Sequence, residues 1–190
     1  RRALGAMVGV TVAAGVLVTH ARGLRYASLK IAEVGFSLTD VEFGHAAEVA
    51  TRYPVEAANL AVFDAWICNT DRAGNLRANL AESTDNLLIG LDHGGSLLSV
   101  ADTIDAAIER LRSTHWPPTH LFQGVVSAAL LQPMIERIQR LPDEAIQDAC
   151  VLSGTIGSVI LPDQAILAEA LVWRRDHLPE IALRMLLAEK

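Results

Sequence analysis

Lysine is almost absent from this sequence: Lys30 and Lys190 are the only two, and the rest of the positive charge is arginine. With a formal net charge of −6 and no basic run, the chain lacks the electrostatic footprint of a general nucleic-acid binder. Cysteine is equally scarce. Cys68 and Cys150 stand far apart in apolar, helix-prone contexts and make no metal-type pair, which predicts buried free thiols in a reducing, cytoplasmic setting. Internal repeats and low-complexity linkers are missing too, so residues 1–190 are expected to form one domain. The run from Ala3 to Thr19 is nearly uncharged and follows Arg1-Arg2, as a targeting segment or short span does. It is rich in Gly, Val and Thr, poor in Leu, and has no small-x-small cleavage site before a polar start. A buried segment of the domain is therefore expected, with no membrane contact.

What is present is a globular composition, 51% hydrophobic and 20% charged. Val8–Val12 and Gly15–Val18 are β-branched, Gly-punctuated runs and read as two short strands, with a turn at 20–23. Leu24–Ile31 reads as either a strand or a short helix. Thr39-Asp40 suits the cap of a turn, Phe43-Gly44-His45 breaks the chain, and 46–51 is helix-prone. Pro54 opens the helix expected to be central, with Glu56 in its first turn. Along it, Val55, Ala58, Asn59, Val62, Phe63, Trp66 and Ile67 form a broad apolar face. Leu76–Leu80 and Leu87–Leu91 read as a hairpin with Glu82–Asp85 at its tip.

An amphipathic helix is expected over 100–112, followed by a rigid loop at 114–118. His115 and His120 flank that loop without a third ligand for a metal. Pro133 predicts two helices or a kink within 123–140. Asp143 opens a helix to Cys150, 153–157 is a loop, and one last helix runs from Pro162 to about Glu189. In it Arg174-Arg175 reads as a solvated pair. The fold class is mainly α with a small β portion, α+β.

One stretch carries chemistry. The apolar helix ends in Asn69-Thr70-Asp71-Arg72, a turn with Gly74 and Asn75 follows, and the hairpin delivers Asp92-His93-Gly94-Gly95. Two carboxylates thus stand at the ends of regular elements, each beside backbone that glycine lets turn sharply. Phosphoryl transfer needs a group that positions the acceptor hydroxyl, and carboxylate or amide oxygens that hold magnesium on the phosphates. Magnesium takes one or two carboxylates and shares its other positions with water and phosphate. Asp71, Asn75 and Asp92 match in type and order. The competing reading is a helical domain in which Asp71 and Asp92 merely cap elements.

Phe63-Asp64-Ala65-Trp66-Ile67-Cys68-Asn69-Thr70-Asp71-Arg72 with Leu91-Asp92-His93-Gly94 resembles the HipA-like kinases, in the lipid-kinase-like branch of the protein kinase superfamily. The resemblance implies a protein-kinase-like C-lobe over 45–190, a remnant of the N-lobe and hinge over 1–44, and a β-hairpin that carries the metal-site aspartate. It implies ATP and Mg2+ as cofactors and an unidentified hydroxyl as phosphoryl acceptor. Carried over, Asp71 is the catalytic residue, Asn75 and Asp92 are metal ligands, and Asn69 and Arg72 lie on the cofactor side. Two departures stand out. The family has His after the Asp-Arg pair and Asn five positions beyond the Asp; here Ala73 replaces the His and Asn75 lies four beyond, with Asn79 as the alternative ligand. No glycine-rich phosphate loop precedes Lys30, and only about forty residues separate Lys30 from Asp71. An inactive pseudokinase or a helical binding domain is the alternative to a working enzyme.

Overall fold

The computed structural model describes residues 2–13, 15–20, 23–28, 38–81, 87–93, 95–114, 116, 120–151 and 162–186. Lys30, Gly94, His115, the 82–85 hairpin tip and the 153–157 loop lie outside the described residues. The architecture is mainly helical with small antiparallel sheets, as the α+β reading expects. Among the described residues no helix is long and apolar enough to cross a membrane.

Helix α3, Pro54–Ile67, is the centre of the core. Ala57, Ala58 and every residue from Leu60 to Ile67 are buried, so its apolar surface goes all the way round, as in a helix with neighbours on every side. Those neighbours are α2 (Ala46–Arg52), α5 (Ala128–Gln139), α7 (Pro162–Asp176) and α8 (Leu178–Leu186). Pro54 occupies the first turn, where its missing N–H is not needed.

The sheet beside this bundle has three antiparallel strands in the order β3 (Thr39–Asp40), β4 (Leu76–Ala78), β5 (Leu88–Gly90). The predicted hairpin is β4–β5, with Leu76 opposite Gly90 and Ala78 opposite Leu88. The buried Tyr53 hydroxyl fastens its far end, donating to the Asn79 carbonyl at 2.6 Å and accepting from the Leu87 N–H at 3.4 Å. Thr39-Asp40, expected as a cap, is strand instead, and the Asp40 side chain pairs with Arg77 opposite.

Several expectations are corrected. Val8, expected to open the first strand, instead ends helix α1, Arg2–Val8. Leu4 and Val8 recur at helical spacing and both are buried, α1 packs on α5 and on α6 (Asp143–Cys150), and that burial outweighs the strand preference of Val8. Gly9 ends the helix with φ +73, and Arg137 of α5 donates to the Val8 carbonyl at 2.9 Å. Only Val12 remains of the first strand, as a parallel bridge to Gly90. The second strand is β1, Gly15–His20, paired with β2, Gly23–Ser28, so the open 24–31 segment begins as strand.

The helix within 100–112 is shorter than expected: α4 spans Ile104–Leu111, capped by the Thr103 side chain. Ala107, Ile108 and Leu111 make up its packed face, and Ile104 in the first turn is exposed. Pro133 lies inside a single α5, where the carbonyl that loses its partner belongs to exposed Ala129 and can turn to water. The last helix is two, α7 and α8, broken at His177. Pro179 cannot bond back to Arg175 and clashes with its carbonyl, so a new helix starts with proline in its first turn. Arg174 is not solvated. It is buried and donates to the carbonyls of Ala65 (2.6 Å), Leu111 (3.1 Å) and Ser113 (2.8 Å), tying the ends of α3 and α4 to α7. Arg175 pairs with Asp143 and Asp176.

Candidate functional site

Helix α3 ends through a strained residue. Cys68 is left-handed at φ 54 and closes the helix back onto Asp64 and Ala65, and the Asn69 N–H then bonds the Asp64 carbonyl at 2.8 Å. The turn throws Asp71 to the exposed surface. A second left-handed residue, Leu97 at φ 57, follows Asp92–Ser96. Among the described residues these two are the only non-glycine residues with positive φ, and they flank the two predicted loops. Such positions cost about 1–3 kcal/mol each and gather at functional sites.

The fold brings these loops together. Thr70 donates to the Gly95 carbonyl through its N–H and through its hydroxyl, both at 3.3 Å. A Cβ on Gly95 would stand 3.1 Å from the Asp71 Cβ, so only glycine allows this approach without displacement. The Asn75 side chain donates to the Asp71 carboxylate at 3.0 Å and to the Asp71 carbonyl at 3.1 Å. The Asn75 carbonyl accepts from the Leu91 N–H at 2.9 Å, one residue before Asp92. Asp92 is exposed, while the next residue, His93, turns inward against the edge of Phe63 with ring centroids 6.0 Å apart. Ser96 closes that turn by donating to the His93 carbonyl through its hydroxyl, at 2.7 Å.

Asp71, Asn75 and Asp92 therefore belong to one surface patch. Asn79 does not: it is buried at the end of β4, and its amide oxygen accepts from the Ala81 N–H. Asn69 and Arg72, expected on the cofactor side, point into the protein. Asn69 is buried and donates to Asp64 Oδ1 at 2.9 Å. Arg72 is 1% exposed, and its three guanidinium nitrogens bond Asp64 and the carbonyls of Asn75 (2.8 Å) and Leu91 (3.5 Å). Their polar atoms are engaged in holding the loops: Asn69 Oδ1 also accepts from the Asp71 N–H at 3.4 Å. Room for the guanidinium comes from Gly90, where a Cβ would meet Nη1 at 3.3 Å.

Below the patch lies a buried cluster that the sequence reading missed. Asp64 accepts from Arg72, from Asn69 and from His120 Nε2 at 3.2 Å. Burial alone would raise its carboxyl; the charge and hydrogen bond of Arg72, joined by His120, more than reverse this and hold it well below the usual carboxylate range. One signal was available for Asp64, a carboxylate in the middle of the apolar Val62–Ile67 run, where an unpaired charge is not tolerated. His120, which the sequence offers only as a histidine lacking companions for a metal, arrives from 56 residues away, and no local pattern ties it to Asp64.

Among the described residues no three His, Cys, Asp or Glu side chains gather into a cage for a metal. Two exposed aspartates with an asparagine make the open kind of site that suits an ion shared with phosphate and water. Because Asn75 spends its amide nitrogen on Asp71, its amide oxygen is the atom left to meet a cation. Compared with protein-family models, with curated proteins and with solved structures, the chain matches none.

Proposed function

We propose that this chain carries the metal and acceptor-positioning part of a HipA-like kinase, acting in Mg2+- and ATP-dependent phosphoryl transfer to a hydroxyl. The observation that carries the reading is the contact between the two loops: Asn75 bonded to Asp71, and the backbone of Asn75 bonded to Leu91 beside Asp92. Asp92 and the Asn75 amide oxygen are the ligands for magnesium, which supplies positive charge to the phosphate oxygens when bound. Asp71 orients the acceptor hydroxyl and accepts its hydrogen bond. Exposure of both aspartates keeps them reachable by a nucleotide and an acceptor of any size. The alternative, a nucleotide-binding module without transfer, draws support from the same Asn75–Asp71 bond, since it occupies part of the carboxylate that has to receive the hydroxyl.

Calorimetry with ATP and magnesium, on the wild type and on Asp92→Asn, tests the reading. Magnesium-dependent binding that disappears in the variant is expected. Absence of binding by both proteins sinks the claim that this chain alone holds the nucleotide site. Binding without any ADP release on prolonged incubation with candidate hydroxyl acceptors selects the non-catalytic alternative.

A further inference from the structure

Asp64 is buried, yet no donor around it is wasted. Oδ1 accepts from Asn69 Nδ2 and Arg72 Nη2, and Oδ2 accepts from Arg72 Nε and His120 Nε2, two hydrogen bonds on each oxygen. That fills the acceptor capacity of a carboxylate. His120 is itself oriented: the Phe122 N–H donates to its Nδ1 at 3.2 Å, so the ring proton sits on Nε2 and points at Asp64. From Asp64 the chain of contacts continues to the loops through two side chains: Asn69 Oδ1 accepts from the Asp71 N–H at 3.4 Å, and Arg72 makes the longer reach. Arg72 reaches the Asn75 carbonyl and the Leu91 carbonyl, the two backbone positions that carry the exposed patch.

A buried ion pair is weak evidence for stability, because apolar residues of similar volume serve as well; what it supplies best is a fixed geometry. The geometry here is that of the two loops, since every partner of Arg72 other than Asp64 belongs to them. We propose that Asp64 and His120 are positioning residues for the Asp71–Asn75–Asp92 patch: His120 fixes the Asp64 carboxylate, and Asp64 aims Arg72 at the loops. The role in phosphoryl transfer rests on the reading above, while the positioning itself is readable without nucleotide.

The test compares His120→Leu, which removes the donor, with His120→Gln, whose side-chain amide nitrogen replaces Nε2. Amide hydrogen exchange is followed at Asn75 and Leu91, whose N–H groups bond the Arg72 and Asn75 carbonyls, and at Ile135 and Ile138 inside α5. In His120→Leu the two loop amides are expected to exchange about tenfold faster or more, with α5 unchanged, and His120→Gln is expected to restore wild-type protection. Equal acceleration in α5 and the loops, no change in the loops, or no restoration by Gln overturns the proposal. Should the Leu variant fail to fold, loop protection in His120→Gln decides: kept, it supports the role; lost while α5 stays protected, it refutes the donor replacement on which the role rests. Magnesium–ATP binding is measured in parallel on the wild type, so failure of the kinase reading is seen separately from failure of the positioning role.

Discussion

Arg72 meets Asp64 through two parallel contacts, Nε to Oδ2 at 2.7 Å and Nη2 to Oδ1 at 2.6 Å, and neither side chain reaches solvent. Such a fork fixes direction as well as distance. It sets the face of α3 against the loop that follows it, eight residues on, and leaves the third nitrogen to bond that loop and the hairpin.

Breaking this pair from one side leaves a buried charge. Asp64→Asn is expected to lower unfolding stability by about 3–5 kcal/mol in urea titration. The double variant Asp64→Leu/Arg72→Met, which removes both charges, should lose distinctly less stability and still lose magnesium–ATP binding. A double variant as unstable as the single one would mean that the pair supports the fold rather than the site.

The same pair predicts an acid response. The folded Asp64 carboxyl is held low, chiefly because Arg72 outweighs the effect of burial, so the unfolded chain binds its proton more tightly. Stability from this group is complete above the unfolded value of about 4 and is lost as pH falls below it. Urea midpoints of the wild type should fall between pH 4 and 2 more steeply than those of the Asp64→Leu/Arg72→Met variant. Parallel slopes for the two proteins would count against the assignment.

Gly95→Ala probes the contact between the loops. Its Cβ would lie 3.1 Å from the Asp71 Cβ and 3.4 Å from the Thr70 hydroxyl, so Asp71 must shift by a few tenths of an ångström. Stability is expected to change by under about 1 kcal/mol, as at other loop sites. Magnesium–ATP affinity is expected to fall roughly tenfold, since small displacements at a positioning site are costly. Unchanged affinity by calorimetry would show that the aspartates need not be so close.

Cys150 supplies a prediction at the other end of the pH scale. Burial pushes its thiol up to about 11, so the folded protein holds this proton past the point where the unfolded chain loses it. Stability from the group is complete below the unfolded value of about 8.5 and is lost as pH rises towards the folded one. Alkylation of Cys150, followed by peptide mapping to separate it from Cys68, should still be accelerating at pH 10. A rate that levels off near pH 8.5 would show an ordinary exposed thiol.

Several features were legible because they depend on neighbours in sequence. Pro54 at a helix start, the apolar run through Ile67, and the two strands around the hairpin announce themselves within a dozen residues. So does the Asn69–Asp71 loop, since a helix must end before it. The helix at Arg2–Val8 has no mark in the sequence because seven residues of mixed propensity take the form their packing partners require, and α5 and α6 lie more than a hundred residues away. The break in the last helix has a local reason, Pro179, whose weight the expectation of one continuous helix from Pro162 to Glu189 does not include.

By itself, then, the sequence determined the α+β class, the central helix, and the types and order of Asp71, Asn75 and Asp92. These follow from propensity, periodicity and turn chemistry, all short-range. Only tertiary structure decided that Asn75 rather than Asn79 meets Asp71, that Arg72 turns inward, and that Arg174 is buried among carbonyls. It alone brought His120 under the site. Burial and hydrogen-bond partnership are properties of space, and a charged side chain takes its role from whichever distant segment satisfies it.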